Sequence, residues 1–94
     1  MKGSRYSRIT GGPDSFYEKY TTTNAYVARV FGGNVNTITV SNDSTTDDIQ
    51  VSFDGTTLKA EIYSGETLTL YTNTQSSVYI KATAGGGTVR IWGW

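Results

Sequence analysis

From about residue 22 to the end of the chain, apolar and polar residues alternate in short runs with a period of two, the period of a half-buried strand. Seven such runs stand out: 25–31, 37–41, 49–53, 58–62, 67–70, 77–83 and 88–94. Turn chemistry separates them, with Gly32-Gly33-Asn34, the loop 42–48, Asp54-Gly55, Ser64-Gly65-Glu66, Asn73-Thr74-Gln75-Ser76 and Gly85-Gly86-Gly87. The first twenty residues show no clear period. Their start is basic (Lys2, Arg5, Arg8), Gly11-Gly12-Pro13-Asp14 signals a turn, and Phe16, Tyr17 and Tyr20 form an aromatic cluster.

Two hairpins are specific enough to give a register. Setting Phe53 opposite Leu58, Val51 opposite Ala60 and Ile49 opposite Ile62 turns every apolar residue inward. It sets Ser52 by Lys59 and Gln50 by Glu61 outside. In the second hairpin, Ala82 faces Val89 and Ile80 faces Ile91, with a two-residue glycine turn. That register places Tyr79 opposite Trp92, Lys81 opposite Arg90 and Ser77 opposite Trp94. The expected architecture is all-β: a single antiparallel β-sandwich, jelly-roll-like, of about seven strands with an irregular N-terminal arm. The arm covers 1–20 and the sandwich domain 21–94.

Composition narrows the function classes. A chain of 94 residues, 36% apolar, buries only about 60–65% of the surface its unfolded form exposes. With no cysteine and no histidine, disulfide and zinc staples are excluded, which leaves self-association as the expected source of extra stability. The same absences remove the commonest general base and the thiol nucleophile. A net charge of zero argues against specific nucleic-acid binding. No apolar run is long enough for a transmembrane helix or a signal peptide, so no membrane association is expected.

Chemistry-bearing groups are few. Tyr79, Trp92, Trp94, Lys81 and Arg90 share the outer face of the expected last hairpin, where Trp, Tyr and Arg suit the anchor of a protein interface. The same aromatics are also the natural platform of a carbohydrate-binding module. A third arrangement has Phe16, Tyr17 and Tyr20 of the arm folding back over the tryptophans within one subunit. The loop 42–48 gathers Asp43, Asp47 and Asp48, but lacks the spacing of a calcium loop and reads as a solvated turn. Asp54, Glu61 and Glu66 form no acid–base pair on the expected register. The expectation is therefore no enzyme, no cofactor and no metal.

Beyond these patterns, 37–94 resembles the small all-β virion proteins of tailed bacteriophages, of the capsid decoration, cement or minor capsid type. The resemblance is carried by Ile38-Thr39-Val40-Ser41-Asn42-Asp43-Ser44, Val51-Ser52-Phe53-Asp54-Gly55-Thr56-Thr57 and Ser64-Gly65-Glu66-Thr67-Leu68. It is completed by Val78-Tyr79-Ile80-Lys81-Ala82 and Val89-Arg90-Ile91-Trp92-Gly93-Trp94. It implies a dimer or trimer bound to a major capsid protein or another virion protein, located in the virion and assembled in the host cytoplasm. Trp92, Trp94 and Tyr79 would be the apolar anchors. Phe16, Tyr17 and Tyr20 would anchor the arm, and Arg5 and Arg8 would supply its electrostatic contacts.

Overall fold

The computed structural model describes residues 16–84 and 86–94, except for the side chain of Asn73. Six strands account for most of it: β1 (Phe16–Thr21), β2 (Val27–Asn42), β3 (Ile49–Ser52), β4 (Leu58–Ile62), β5 (Thr67–Ala82) and β6 (Thr88–Gly93). All pairings are antiparallel, in the order β1-β6-β2-β5-β3-β4.

Two strands of 16 residues organise the fold. β2 and β5 pair along most of their length, from Val27 opposite Ile80 to Ser41 opposite Thr67. The ladder breaks in the middle, with register shifts between Val30 and Val35 and between Val35 and Thr37. Gly32 and Thr74 both take positive φ there, at 82° and 66°. Such irregularities bend strands sharply, so the two halves of this pair fall in different layers. Sheet I runs β1, β6, the end of β2 (37–42) and the start of β5 (67–71). Sheet II runs the start of β2 (27–30), the end of β5 (77–82), β3 and β4. The expected sandwich is present, and two pairs of the seven predicted runs are each one bent strand.

Between the layers lies one apolar cluster. Ile38, Val40, Val89 and Ile91 come from sheet I, and Ile49, Val51, Ile62, Val78, Ile80 and Ala82 from sheet II, none more than 1% exposed. The inward positions are those the alternation predicts. Gly93 continues the inward series after Val89 and Ile91, and a Cβ there would stand 3.3 Å from Val35. A larger residue there would require the Val35 side chain to give way by a few tenths of an ångström.

The sequence-based pairing needs correction at three places. First, 16–20 are not irregular arm: they belong to β1, which pairs with β6 from Phe16 opposite Gly93 to Thr21 opposite Thr88. The sheets therefore begin at residue 16, and 1–15 lie outside the described residues. Second, 77–83 and 88–94 do not form a hairpin. The end of β5 already has β2 on one side and β3 on the other, so β6 crosses to sheet I and pairs with β2 and β1. A glycine-rich connection serves a crossing between layers as well as a turn within one. Third, the β3–β4 ladder keeps Ile49 opposite Ile62 and Val51 opposite Ala60 but then slips, setting Ser52 opposite Leu58.

The cause of that slip is Asp54. Its Oδ1 accepts the Thr57 and Thr56 amides at 2.8 and 2.9 Å and the Ser52 hydroxyl at 2.9 Å, which winds 52–57 into a loop instead of a two-residue turn. The loop folds over Tyr79: Gly55 has φ 88°, and a Cβ on it would lie 3.1 Å from that ring. These hydrogen bonds, led by the Thr57 amide, hold the Asp54 carboxyl well below the usual carboxylate range.

A second polar hub is buried. The Asn42 side chain is fully enclosed; its Nδ2 donates to the carbonyls of Asp47 at 2.8 Å and Ile62 at 2.9 Å, and its Oδ1 accepts the Ser44 amide at 3.0 Å. One amide thus fastens the loop 43–48 to the end of β4. Replacing Asn42 by Ala leaves those carbonyls without a donor and should cost about 2–4 kcal/mol, read as a lower denaturant midpoint at unchanged slope. For Asp54 the folded pKa lies below the unfolded one. Its stabilising contribution is complete above the unfolded value of about 3.9 and is lost as pH falls towards the folded value. An NMR titration should place the Asp54 midpoint clearly below that of a free aspartate, and Asp54→Ala should abolish the loop's acid sensitivity.

Candidate interaction surface

The outer face of sheet I collects four of the ten side chains singled out from sequence: Tyr17, Arg90, Trp92 and Trp94. Its cross-strand rows follow from the register. One row runs Tyr17, Trp92, Thr39, Thr69, and the next Lys19, Arg90, Ser41, Thr67. Thr37 and Tyr71 pair beyond the first row. The floor is uncharged and hydroxylated: Thr39 Oγ1 meets Thr69 Oγ1 at 2.9 Å, and Ser41 Oγ meets Thr67 Oγ1 at 2.9 Å. Cross-strand hydroxyl pairs of this kind stabilise an exposed sheet face modestly.

Trp92 sits on this face yet is only 8% exposed. The Tyr17 ring lies against it at a centroid separation of 5.4 Å, and the Arg90 guanidinium stands 5.2 Å from the indole. Cover by Tyr17 within the same chain was one of the three arrangements the sequence left open. Arg90 is further held by Asp43, with Nε donating at 2.7 Å to Oδ2 and Nη2 at 3.0 Å to Oδ1. That pairing takes one carboxylate of the acidic loop, and it offsets Lys19 opposite Arg90 in the ladder. Trp94 is half-buried at the end of β6, where its backbone exchanges hydrogen bonds with Thr37.

The remaining predicted site residues lie elsewhere. Tyr79 and Lys81 are on sheet II, opposite Ser52 and Gln50, so the five-residue patch on a last hairpin does not assemble. Tyr79 lies under the loop at Gly55, and the Lys81 amine stands 4.7 Å from the Tyr26 ring. Without Tyr79, and with Trp92 covered, the three-aromatic platform of the carbohydrate reading is not formed. Arg5 and Arg8 lie outside the described residues.

Phe16 and Tyr20 point inward and help close one side of the sandwich. Phe16 meets Phe31 edge to face at 5.0 Å. Between them Glu18 takes a two-point ion pair from Arg29, whose Nε donates to Oε1 at 2.8 Å and whose Nη2 donates to Oε2. The guanidinium also stands 4.2 Å from the Tyr20 ring. Glu18 raises the Arg29 pKa, so this charge is permanent at any working pH. The sequence reading did not find this closure, although the alternation of Phe16, Glu18 and Tyr20 against Tyr17 and Lys19 was the signal for a strand there.

On the opposite side, a pocket of about 200 Å³ opens between Phe53, Asp54, Thr57, Lys59 and Gln75. Two of its polar groups are already engaged. Asp54 caps its own loop, and Gln75 Nε2 donates to the Ser77 carbonyl at 3.0 Å. Among the described residues, no three His, Cys, Asp or Glu side chains converge as a metal site.

No protein family and no curated relative matches this sequence. Solved structures do share its fold. A cupin-2 domain-containing protein from Shewanella frigidimarina matches with a TM-score of 0.55 at 11% identity, over 89% of this chain and 74% of that one. Protein NMB1881 from Neisseria meningitidis gives 0.53 at 14% identity, over 92% and 81%. The hydroxypropylphosphonic acid epoxidase from S. wedmorenis gives 0.58 at 9% identity over 87% of this chain, which spans 44% of the epoxidase. This likeness corrects one expectation. The chain was expected not to be an enzyme, but an enzyme is built on the same fold, so the architecture gives no ground for setting catalysis aside. Iron(II) is present in one structure of that epoxidase type; this chain has no histidine or cysteine to offer such an ion, and the described residues do not fit it. What the chain shares with these proteins is a cupin-like, jelly-roll β-sandwich.

Proposed function

We propose that the chain is a structural protein of a tailed-phage virion. It would decorate or cement the capsid, or occupy a vertex or head–tail site, through protein–protein contacts as a homo-oligomer. The observation that carries this reading is the outer face of sheet I, where the half-exposed Tyr17 lies on Trp92 beside a hydroxylated, uncharged floor. Aromatic and arginine side chains beside a hydroxylated floor suit a protein partner, because they bring contact area with little charge to desolvate. The arginine of this face, Arg90, has its carboxylate partner in place. The sequence resemblance to virion proteins supplies the partner class, a major capsid protein or another protein of the shell.

In this reading Tyr17, Arg90 and Trp94 face the shell, with Trp92 beneath Tyr17 as its support. Particles purified from cells carrying the gene should contain the chain at fixed stoichiometry. Tyr17→Lys should reduce its occupancy on those particles at least tenfold while the thermal midpoint of the free protein shifts by only a few degrees. Absence of the chain from particles, or full occupancy by Tyr17→Lys, would contradict the proposal.

A further inference from the structure

The two open sides of the sandwich are finished differently. On one side β1 of sheet I meets the start of β2 in sheet II, and the gap is sealed by the Phe16–Phe31 contact and the Glu18–Arg29 pair. On the other side the edges are β5 (67–71) and β4, joined by the turn at Tyr63–Glu66. No such seal is present there among the described residues. The inward Leu68 and Leu70 remain half-buried, although Ile38 and Val40 next to them are fully enclosed. Leu58, Tyr63 and Tyr71 are 50%, 54% and 84% exposed on the same side.

An unpaired edge invites another strand, and proteins that stay apart guard their edges with charges, prolines or bulges. Among the described residues the two sheets have four edges, and three are guarded. β1 carries Glu18 and Lys19, and β4 carries Lys59, Glu61 and the slip after Val51. The start of β2 carries Arg29 and pairs for only four residues before its ladder breaks. The fourth, Thr67-Leu68-Thr69-Leu70-Tyr71, has no charge, no proline and no register shift.

We infer that this edge pairs with the same edge of a second copy, antiparallel across a twofold axis, joining the two copies of sheet I into one eight-stranded sheet. The segment is suited to its own copy. Antiparallel pairing of identical strands is closed by twofold symmetry, and a neutral sequence meets itself without opposing like charges. The contact would cover Leu68, Leu70 and Tyr71 from both copies and give the small core the added burial that disulfides cannot supply here. The inference rests on the homo-oligomeric part of the reading above, and it makes that oligomer a dimer.

Pairing centred on Thr69 sets each Thr69 against its counterpart, so charge there is a direct probe. By light scattering the wild type should show twice the 10.2 kDa chain mass. Thr69→Lys and Thr69→Glu should each weaken dimerisation at least tenfold, and mixing the two should restore a dimer. Circular dichroism verifies that the variants fold. A wild type that stays monomeric at millimolar concentration overturns the inference and the homo-oligomer together. A wild-type oligomer that survives both single charge changes overturns the edge pairing alone and leaves self-association standing. Neither result bears on shell binding, which the particle assay reads separately.

Discussion

The structure depends on one constraint: β2 and β5 stay hydrogen-bonded to each other while passing from one layer to the other. Each is long enough to serve two sheets, and the shared break at Val30–Thr37 lets both bend at the same level. Once that bend exists, β6 cannot lie beside the end of β5, because β2 and β3 already occupy both of its flanks. It must cross to sheet I, where it brings Trp92 beside Tyr17. The surface of sheet I is therefore a consequence of how two strands turn a corner.

The same bend makes the two sides of the sandwich unequal. At one side the start of β2 comes under β1 and is tied to it by an ion pair flanked by Phe16–Phe31 and by Tyr20. An ion pair whose side chains are about a quarter exposed is worth little by itself; here it lies between the Phe16–Phe31 contact and the Tyr20 ring. At the other side β5 enters sheet I as its last strand, with partly covered leucines and no charged residue over 67–71. A chain with 36% apolar residues and no cross-link is left with unburied apolar surface at that edge. The proposed roles divide this surface, the outer face of sheet I for the shell and the edge of β5 for a second copy.

Much of the fold was legible in the sequence because alternation reports which side of a strand is buried. Ile49, Val51, Ile62, Ile80, Ala82, Val89 and Ile91 fall inward on the alternation, and all are enclosed. Partner choice was not legible. A period of two states which face points inward but not which strand lies alongside, so Ile80 and Ile91 were placed side by side when they belong to opposite layers. The Asp54 loop escaped for a local reason: Asp-Gly favours a two-residue turn, but Ser52, Thr56 and Thr57 offer donors that reward a longer one. The site shared the fate of the pairing. Residues on β1 and β6 came together, and Tyr79 and Lys81, assigned to the same patch, lie on the other sheet.

Self-association turns on the edge at 67–71, an unfinished sheet edge completed by a second copy. Backbone hydrogen exchange reads this residue by residue. Among the described residues, the amides of 67–71 that do not bond to β2 have no strand partner, so protection that grows with concentration reports the dimer. The account predicts that their exchange slows as protein concentration rises from micromolar to millimolar, while the amides of β3 are unaffected. Exchange at the rate of free solvent-exposed amides across that whole range would contradict it.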